Sequence, residues 1–334
     1  QVVLAASPLL LARNFKLFAA GMPASVKVPF FDACPSAMHG GLAAVVKTLY
    51  LVRHGEAVHN IEEQRAKRRA SADAEARGLV ESSEAHKAAV EAARKASLRN
   101  EALRDAALSS TGRGQTSAAK DELRALTQSE DGLPEPAVVL VSPLQRTLET
   151  AAMLFPDHPR VHVCEDLRER RTGLPCDERK PARRLSRQPE FSNMDFTSLL
   201  GADGDLDAVP AVYVEDAARL RSRTTRLVEA LRATSDRVLC LVTHKGFLRE
   251  LERGPLGQAE AKEFSNCEVR AYNVLLFPDG SLAAELLHSS EAPWSGSAEQ
   301  RRGCPSRQVS VDDLGVVAYD PMALGPCPAL EEVF

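Results

Sequence analysis

Three things are missing from this sequence, and each absence closes off a class of function. There is no excess of positive charge: 42 Lys and Arg stand against 46 Asp and Glu, for a formal net charge of -4. No overall positive field would therefore hold a polyanion, and neither nucleic-acid nor membrane-surface binding is expected as the main activity. There is no apolar run near the roughly 18 residues that a membrane span needs. The most apolar stretch, Val2 to Leu11, is broken by Ser7 and Pro8 and followed by Arg13 and Lys16. There is also no paired-cysteine spacing. The seven cysteines, at positions 34, 164, 176, 240, 267, 304 and 327, are an odd count with no CxxC. Neither a disulfide framework nor a zinc site is indicated, and a reducing compartment is expected.

What is present is a 334-residue chain, 44% hydrophobic, with enough apolar material for a substantial core in one large domain or two smaller ones. Residues 1–46 hold a single acid, Asp32, against Arg13, Lys16 and Lys27. Residues 1–44 read as a leader, either disordered or an amphipathic, acid-poor targeting segment, and Met22 or Met38 are alternative starts. The expected location is cytoplasmic, or a plastid or mitochondrion if the leader is a transit peptide.

Four short apolar runs end beside polar, reactive residues. Val45 to Val52 runs into Arg53-His54-Gly55, Val138 to Val141 into Ser142-Pro143, Val161 to Cys164 into Glu165, and Val238 to Val242 into Thr243-His244. Between them lie amphipathic helical patterns, with Leu144, Leu148, Ala151 and Ala152 on one face and Leu220, Thr224, Leu227, Val228 and Leu231 on another. Alternating strands and helices predict an α/β fold of three layers, α/β/α, with a mostly parallel central sheet. Val269 to Phe277 and Leu282 to Leu287, joined by Pro278-Asp279-Gly280-Ser281, read as two further strands and a turn. The domain is expected over residues 45–288. Within it, 61–107, rich in Ala, Glu, Lys and Arg, reads as a solvated helical insertion or cap. The Pro- and Gly-rich stretch 289–334 reads as a loosely ordered tail.

In open α/β sheets the ligand site lies outside the carboxyl ends of the strands, which brings Arg53, His54, Arg146 and His244 together. Guanidinium groups match phosphate oxygens and imidazole can attack phosphorus, whereas no carboxylate or thiolate cluster suits a metal. The set therefore reads as an anion site for phosphoryl chemistry, with no metal and no cofactor.

These residues also carry a resemblance. Leu51-Val52-Arg53-His54-Gly55-Glu56-Ala57-Val58-His59-Asn60 resembles the signature of the histidine phosphatase superfamily, phosphoglycerate-mutase-like branch. Leu108 to Gln115, Ser142 to Ala151, Leu167-Arg168-Glu169 with Gly173, and Val242-Thr243-His244 are similar to its later motifs, in the family's order. Leu174 to Arg179, Phe191, Met194-Asp195-Phe196 and Asn266 to Arg270 resemble a plant, fungal and algal branch. The resemblance implies that His54 is the nucleophile, that Arg53, Arg146 and His244 hold the phosphoryl oxygens with Asn60 as a further donor, and that Glu169 is the acid. Glu165, Asp166 and Asp177 lie close enough in sequence to take that last role under a shifted alignment.

Glu56 is expected to support the loop. His59, His86, His158 and His162 are expected to be structural or solvated, and Cys176 and Cys267 reduced core thiols. Lys245 departs from the small residues usual after the second histidine and either reaches over the site or points to solvent. The implied function is a metal-independent phosphomonoesterase acting on a small phosphorylated metabolite or a phosphoprotein. The alternatives are a phosphoglycerate-mutase-type phosphotransferase and a non-catalytic phosphate-binding protein. The sequence does not indicate an oligomeric state.

Overall fold

The computed structural model describes residues 44–201, 204–205 and 214–290. Of the leader read over 1–44 and the tail read over 289–334, residues 1–43 and 291–334 lie outside the described residues; Ser289 is not tail but the last residue of a strand.

Nine strands and six main helices follow one another in the described chain. The strands are β1 (Val45–Arg53), β2 (Val138–Val141), β3 (Val161–Val163), β4 (Met194–Asp195), β5 (Leu200–Gly201), β6 (Gly204–Asp205), β7 (Val238–Thr243), β8 (Val269–Leu276) and β9 (Leu282–Ser289). The helices are α1 (Val58–Ala76), α2 (Glu84–Leu98), α3 (Ser110–Gln128), α4 (Gln145–Leu154), α5 (Ala217–Ala233) and α6 (Lys245–Arg253). Seven strands form one sheet in the order β4-β3-β2-β7-β1-β8-β9. The five strands from β4 to β1 are parallel, and β8 and β9 add an antiparallel edge. This is the three-layer, mostly parallel α/β architecture expected from the alternating runs.

The alternation of strand side chains divides the core in two. Tyr50, Val52, Val139, Val141, Cys240 and Val242 pack on one face with Ala119 and Leu123 of α3 and Leu148, Ala151 and Leu154 of α4. Leu49, Leu51, Leu140, Leu239 and Leu241 pack on the other with Leu220, Leu227 and Leu231 of α5 and Phe247, Leu248 and Leu251 of α6. Each central strand is thus buried on both faces, which is why these strands read as unbroken Val/Leu runs.

Residues 61–107 contain most of α1, all of α2 and a 3-10 turn at Glu101–Leu103. Only His59 and Ala74 are buried on α1 and only His86 and Leu98 on α2, so these helices gain little from apolar packing. Ion pairs such as Lys67 with Glu63 and Arg94 with Glu91 lie along them. The pair is tied down at its base, where Leu98 and Leu103 pack on Cys176. At the far edge of the sheet β9 reaches Ser289, and the Ser290 hydroxyl donates to Glu122 Oε1 at 2.7 Å.

Candidate active site

The parallel register lines up three strand ends. Arg53 at the end of β1 lies opposite Thr243 at the end of β7, and Val141 at the end of β2 lies opposite Val242. His54, His244 and Ser142 therefore leave the sheet side by side. The His54 amide donates to Thr243 O at 3.0 Å, and the Cys267 amide donates to Arg53 O at 3.1 Å. The Asn266 side chain donates to His54 O at 3.0 Å. On the other side the Thr150 hydroxyl of α4 accepts from Gly55 N at 3.2 Å and donates to Arg146 O at 2.8 Å, joining the two arginine motifs.

The loop after His54 is clamped by the start of α3. The Ser109 hydroxyl donates to Glu56 Oε1 at 2.7 Å, and Gln115 Oε1 accepts from the Glu56 amide at 2.9 Å. Glu56 thus supports the loop, as expected. A Cβ at Gly112 would meet Glu56 O at 2.0 Å, so the close approach of the two segments needs glycine there.

His54, Arg146 and His244 are 3%, 1% and 0% exposed, so the chemistry these groups can do is that of a dry site. His54 Nδ1 lies 2.7 Å from Gly55 O. A carbonyl only accepts, so Nδ1 carries the proton and Nε2 presents a lone pair. Arg146 Nε donates to that Nε2 at 3.3 Å, while its Nη1 donates to Cys176 O at 2.7 Å. His244 Nε2 lies 2.7 Å from the Ser142 hydroxyl, and the His54 and His244 ring centres are 5.1 Å apart. Burial first, then the Arg146 guanidinium, holds both imidazoles well below the usual histidine range, so both are neutral near pH 7. The positive charge of the site therefore comes from Arg53 and Arg146.

Among the described residues, Arg53 Nε, His244 Nδ1 and His59 Nδ1 are buried without a hydrogen-bond partner. Buried unsatisfied nitrogens cost free energy, about 1–3 kcal/mol each; Arg168 Nε is another, and these three belong to residues that lie close to His54 in space or in sequence. No group of three or more His, Cys, Asp or Glu side chains is placed to hold a metal ion among the described residues.

The acids divide. Glu165 is bound by Arg168 at 2.7 Å and Arg179 at 3.0 Å, and Asp166 by Arg226 at 2.7 Å. Glu169 accepts instead from the backbone, from Arg170 N at 2.8 Å and Gly246 N at 3.2 Å, and it is the strongest charge partner of Arg53. Asp177 is buried, with Oδ1 3.8 Å from Arg146 Nη2, and burial pushes its carboxyl up to about 6. A cleft of about 330 Å³ opens beside Glu169, lined also by Arg168, Arg171, Glu215 and Arg223. Lys245 does not extend over the histidines as a free cation: its Nζ pairs with Glu263 at 3.0 Å.

Three residues at or behind the site were given no part in it from the sequence. Asp105, in a left-handed backbone conformation at φ 46°, accepts from Gln145 N at 2.7 Å and Lys180 N at 2.8 Å, pinning the first turn of α4 to the loop below Arg146. Cys267, at φ 58°, is read from sequence only as a core thiol, yet its amide holds the Arg53 carbonyl. His59, expected to be structural or solvated, is buried with its ring centre 6.4 Å from that of His54. A lone Asp or Cys in a loop, or one His in the first turn of a helix with few buried residues, gives no periodic signal by which sequence reasoning could find its role. Asn60, expected to face phosphate, sits in the first turn of α1, where its Oδ1 accepts from Ala57 N at 3.0 Å and its Nδ2 donates to His59 Nε2 at 3.1 Å.

A buried, neutral imidazole beside two guanidinium groups at the carboxyl ends of a parallel sheet defines a class: an α/β protein whose positive charge is gathered where its central strands end. Residues 91–287, more than half of the chain, match the model of the histidine phosphatase superfamily, branch 1, and the chain belongs to that family. The matched span begins after His54. No curated protein matches the chain significantly. Among solved structures, a mycobacterial glucosyl-3-phosphoglycerate phosphatase is similar at 18% identity over 72% of this chain and 97% of its own, with a TM-score of 0.42. A phosphoserine phosphatase from Entamoeba histolytica, bound to 3-phosphoglyceric acid, is similar at 16% identity over 73% and 96%, with a TM-score of 0.39.

Proposed function

We propose that this chain is a phosphomonoesterase that works through a phosphohistidine on His54, acting on a small phosphorylated metabolite or a phosphoprotein. The observation that carries the reading is the tautomer of His54. With Nδ1–H held by Gly55 O, Nε2 carries the lone pair that serves as nucleophile, and in the resting site that lone pair accepts a long hydrogen bond from Arg146 Nε at 3.3 Å.

In the first step Nε2 bonds to phosphorus as the bond from phosphorus to the leaving oxygen breaks, and the Glu169 carboxyl gives that oxygen its proton. In the second, the Glu169 carboxylate takes a proton from water as the water oxygen bonds to phosphorus. The P–N bond breaks and the lone pair returns to Nε2. Arg53 and Arg146 offset the charge on the phosphoryl oxygens, and the orphaned Arg53 Nε is a donor ready for one of them. These two guanidinium groups supply the charge that the transfer needs, so the step calls on no metal.

The narrower placement in a plant, fungal and algal branch rests on the sequence motifs around Leu174–Arg179 and Asn266–Arg270 alone.

The test is trapping. Brief incubation with a labelled phosphomonoester should leave an acid-labile, base-stable phosphoenzyme that His54→Ala lacks. A protein that binds inorganic phosphate but forms no such adduct and releases no phosphate would be the non-catalytic alternative.

A further inference from the structure

We infer that His59 is a substrate-binding residue of the phosphoryl site, presenting a neutral Nδ1–H to a phosphoryl oxygen, and that Asn60 is the positioning residue that fixes its tautomer. The inference rests on the phosphohistidine reading for the identity of the acceptor, but its structural chain is independent of turnover.

The Ala57 amide can only donate, so the Asn60 atom 3.0 Å away is Oδ1 and the carboxamide cannot be flipped. Its Nδ2 then faces His59 Nε2 at 3.1 Å and can only donate to it. Nε2 must therefore accept, and in a neutral ring the proton lies on Nδ1. The ring is neutral: it is 6% exposed, and burial, then the Arg146 and Arg53 guanidinium groups, holds it well below the usual histidine range. Nδ1 is buried and has no partner.

A buried N–H with nothing to bond calls for a partner, and His59 lies with its ring centre 6.4 Å from that of His54, where the charges that act most strongly on it are the two arginines of the phosphoryl site. The missing partner is an acceptor, and an oxyanion suits it best because it is drawn by the same two guanidinium groups. Asn60 thereby gains a role that sequence position alone does not suggest. Besides any contact of its second Nδ2–H, it sets which ring nitrogen of its neighbour carries the proton, as a partner on one ring nitrogen does for histidines generally.

The test uses the full chain with inorganic phosphate and vanadate as probes. Histidine 15N spectra of the wild type should show His59 neutral and protonated on Nδ1. His59→Phe should weaken phosphate binding about tenfold, equivalent to about 1.4 kcal/mol, while its thermal midpoint stays near that of the wild type. Asn60→Asp keeps an acceptor for the Ala57 amide but cannot donate, so the His59 proton should move to Nε2 and phosphate binding should fall by at least as much.

A wild-type ring protonated on Nε2 would overturn the inference. So would a folded His59→Phe that binds phosphate like the wild type. If His59→Phe unfolds, the Asn60→Asp tautomer and affinity decide. A wild type that binds neither probe and forms no phosphoenzyme would sink the phosphatase reading, whereas wild-type binding with no change in either variant sinks this inference alone.

Discussion

Replacing Gly246 by Ala should separate the proton-transfer role proposed for Glu169 from everything else the site does. Gly246 is the second residue of α6, and its amide holds Glu169 Oε2 at 3.2 Å. A Cβ built there would stand 2.4 Å from Glu169 Oε1, at least 1 Å short of the 3.4 Å at which ordinary contact begins. The atom it meets is the end of a flexible side chain, so the carboxylate swings away while the backbone stays. Alanine in a helix is also favoured over glycine by about 0.8–1 kcal/mol, so the thermal midpoint should hold or rise.

A displacement of about 1 Å at a reacting group costs on the order of 10²-fold in rate. That loss should fall on alkyl phosphates, whose leaving oxygen needs a proton. An aryl phosphate, whose leaving group departs unprotonated, should lose far less in kcat/KM, which reports the first phosphoryl transfer. Because hydrolysis of the phosphohistidine still needs the base, aryl alcohol should appear in a burst followed by a slow steady state. The assay is kcat/KM on one alkyl and one aryl phosphate, with stopped-flow traces and a thermal melt of the same preparation. Unchanged turnover of the alkyl substrate, or an equal loss on both substrates at an unchanged midpoint, would refute this placement of Glu169.

Other expectations follow from the same geometry. Glu169→Gln should lose about 10²–10⁴-fold on alkyl phosphates and far less on aryl phosphates in kcat/KM, and equal losses would point to Asp177. Because burial raises the Asp177 carboxyl from 3.8 to about 6, the folded protein binds more protons than the unfolded chain in that window. Stability should therefore fall as pH rises from about 4 to 6, by about 3 kcal/mol at 1.36 kcal/mol for each pH unit. Asp177→Asn should lack this slope in denaturant melts, and parallel curves for the two proteins would contradict it. Arg146 makes three directed contacts, to His54, Cys176 O and Asp177, that a lysine cannot reproduce. Arg146→Lys should cost about 10²–10³-fold in kcat, read from initial rates. With charge supplied by Arg53 and Arg146, phosphate release should persist in EDTA and be inhibited by vanadate, and a strict need for an added divalent ion would count against the site.

Much of this protein was determined by the sequence itself, for a reason that lies in local chemistry. Strands buried on both faces must be apolar, so β2, β7 and the Leu49–Val52 part of β1 are visible as largely Val/Leu runs. The face of α5 shows equally well, because Leu220, Leu227 and Leu231 recur at the helical period. Since ligands gather where parallel strands end, Arg53, His54 and His244 could be placed together without coordinates. The tertiary structure alone decided what depends on burial and on partners distant in sequence. It made both site histidines neutral, left the charge to two arginines, bound Glu165 and Asp166 to other arginines, and paired Lys245 with Glu263. It also brought Asp105 under α4 and His59 beside His54. Hydrophobic pattern is written locally along the chain, whereas a proton's position and a carboxylate's partner are set by atoms that only folding brings within hydrogen-bond reach.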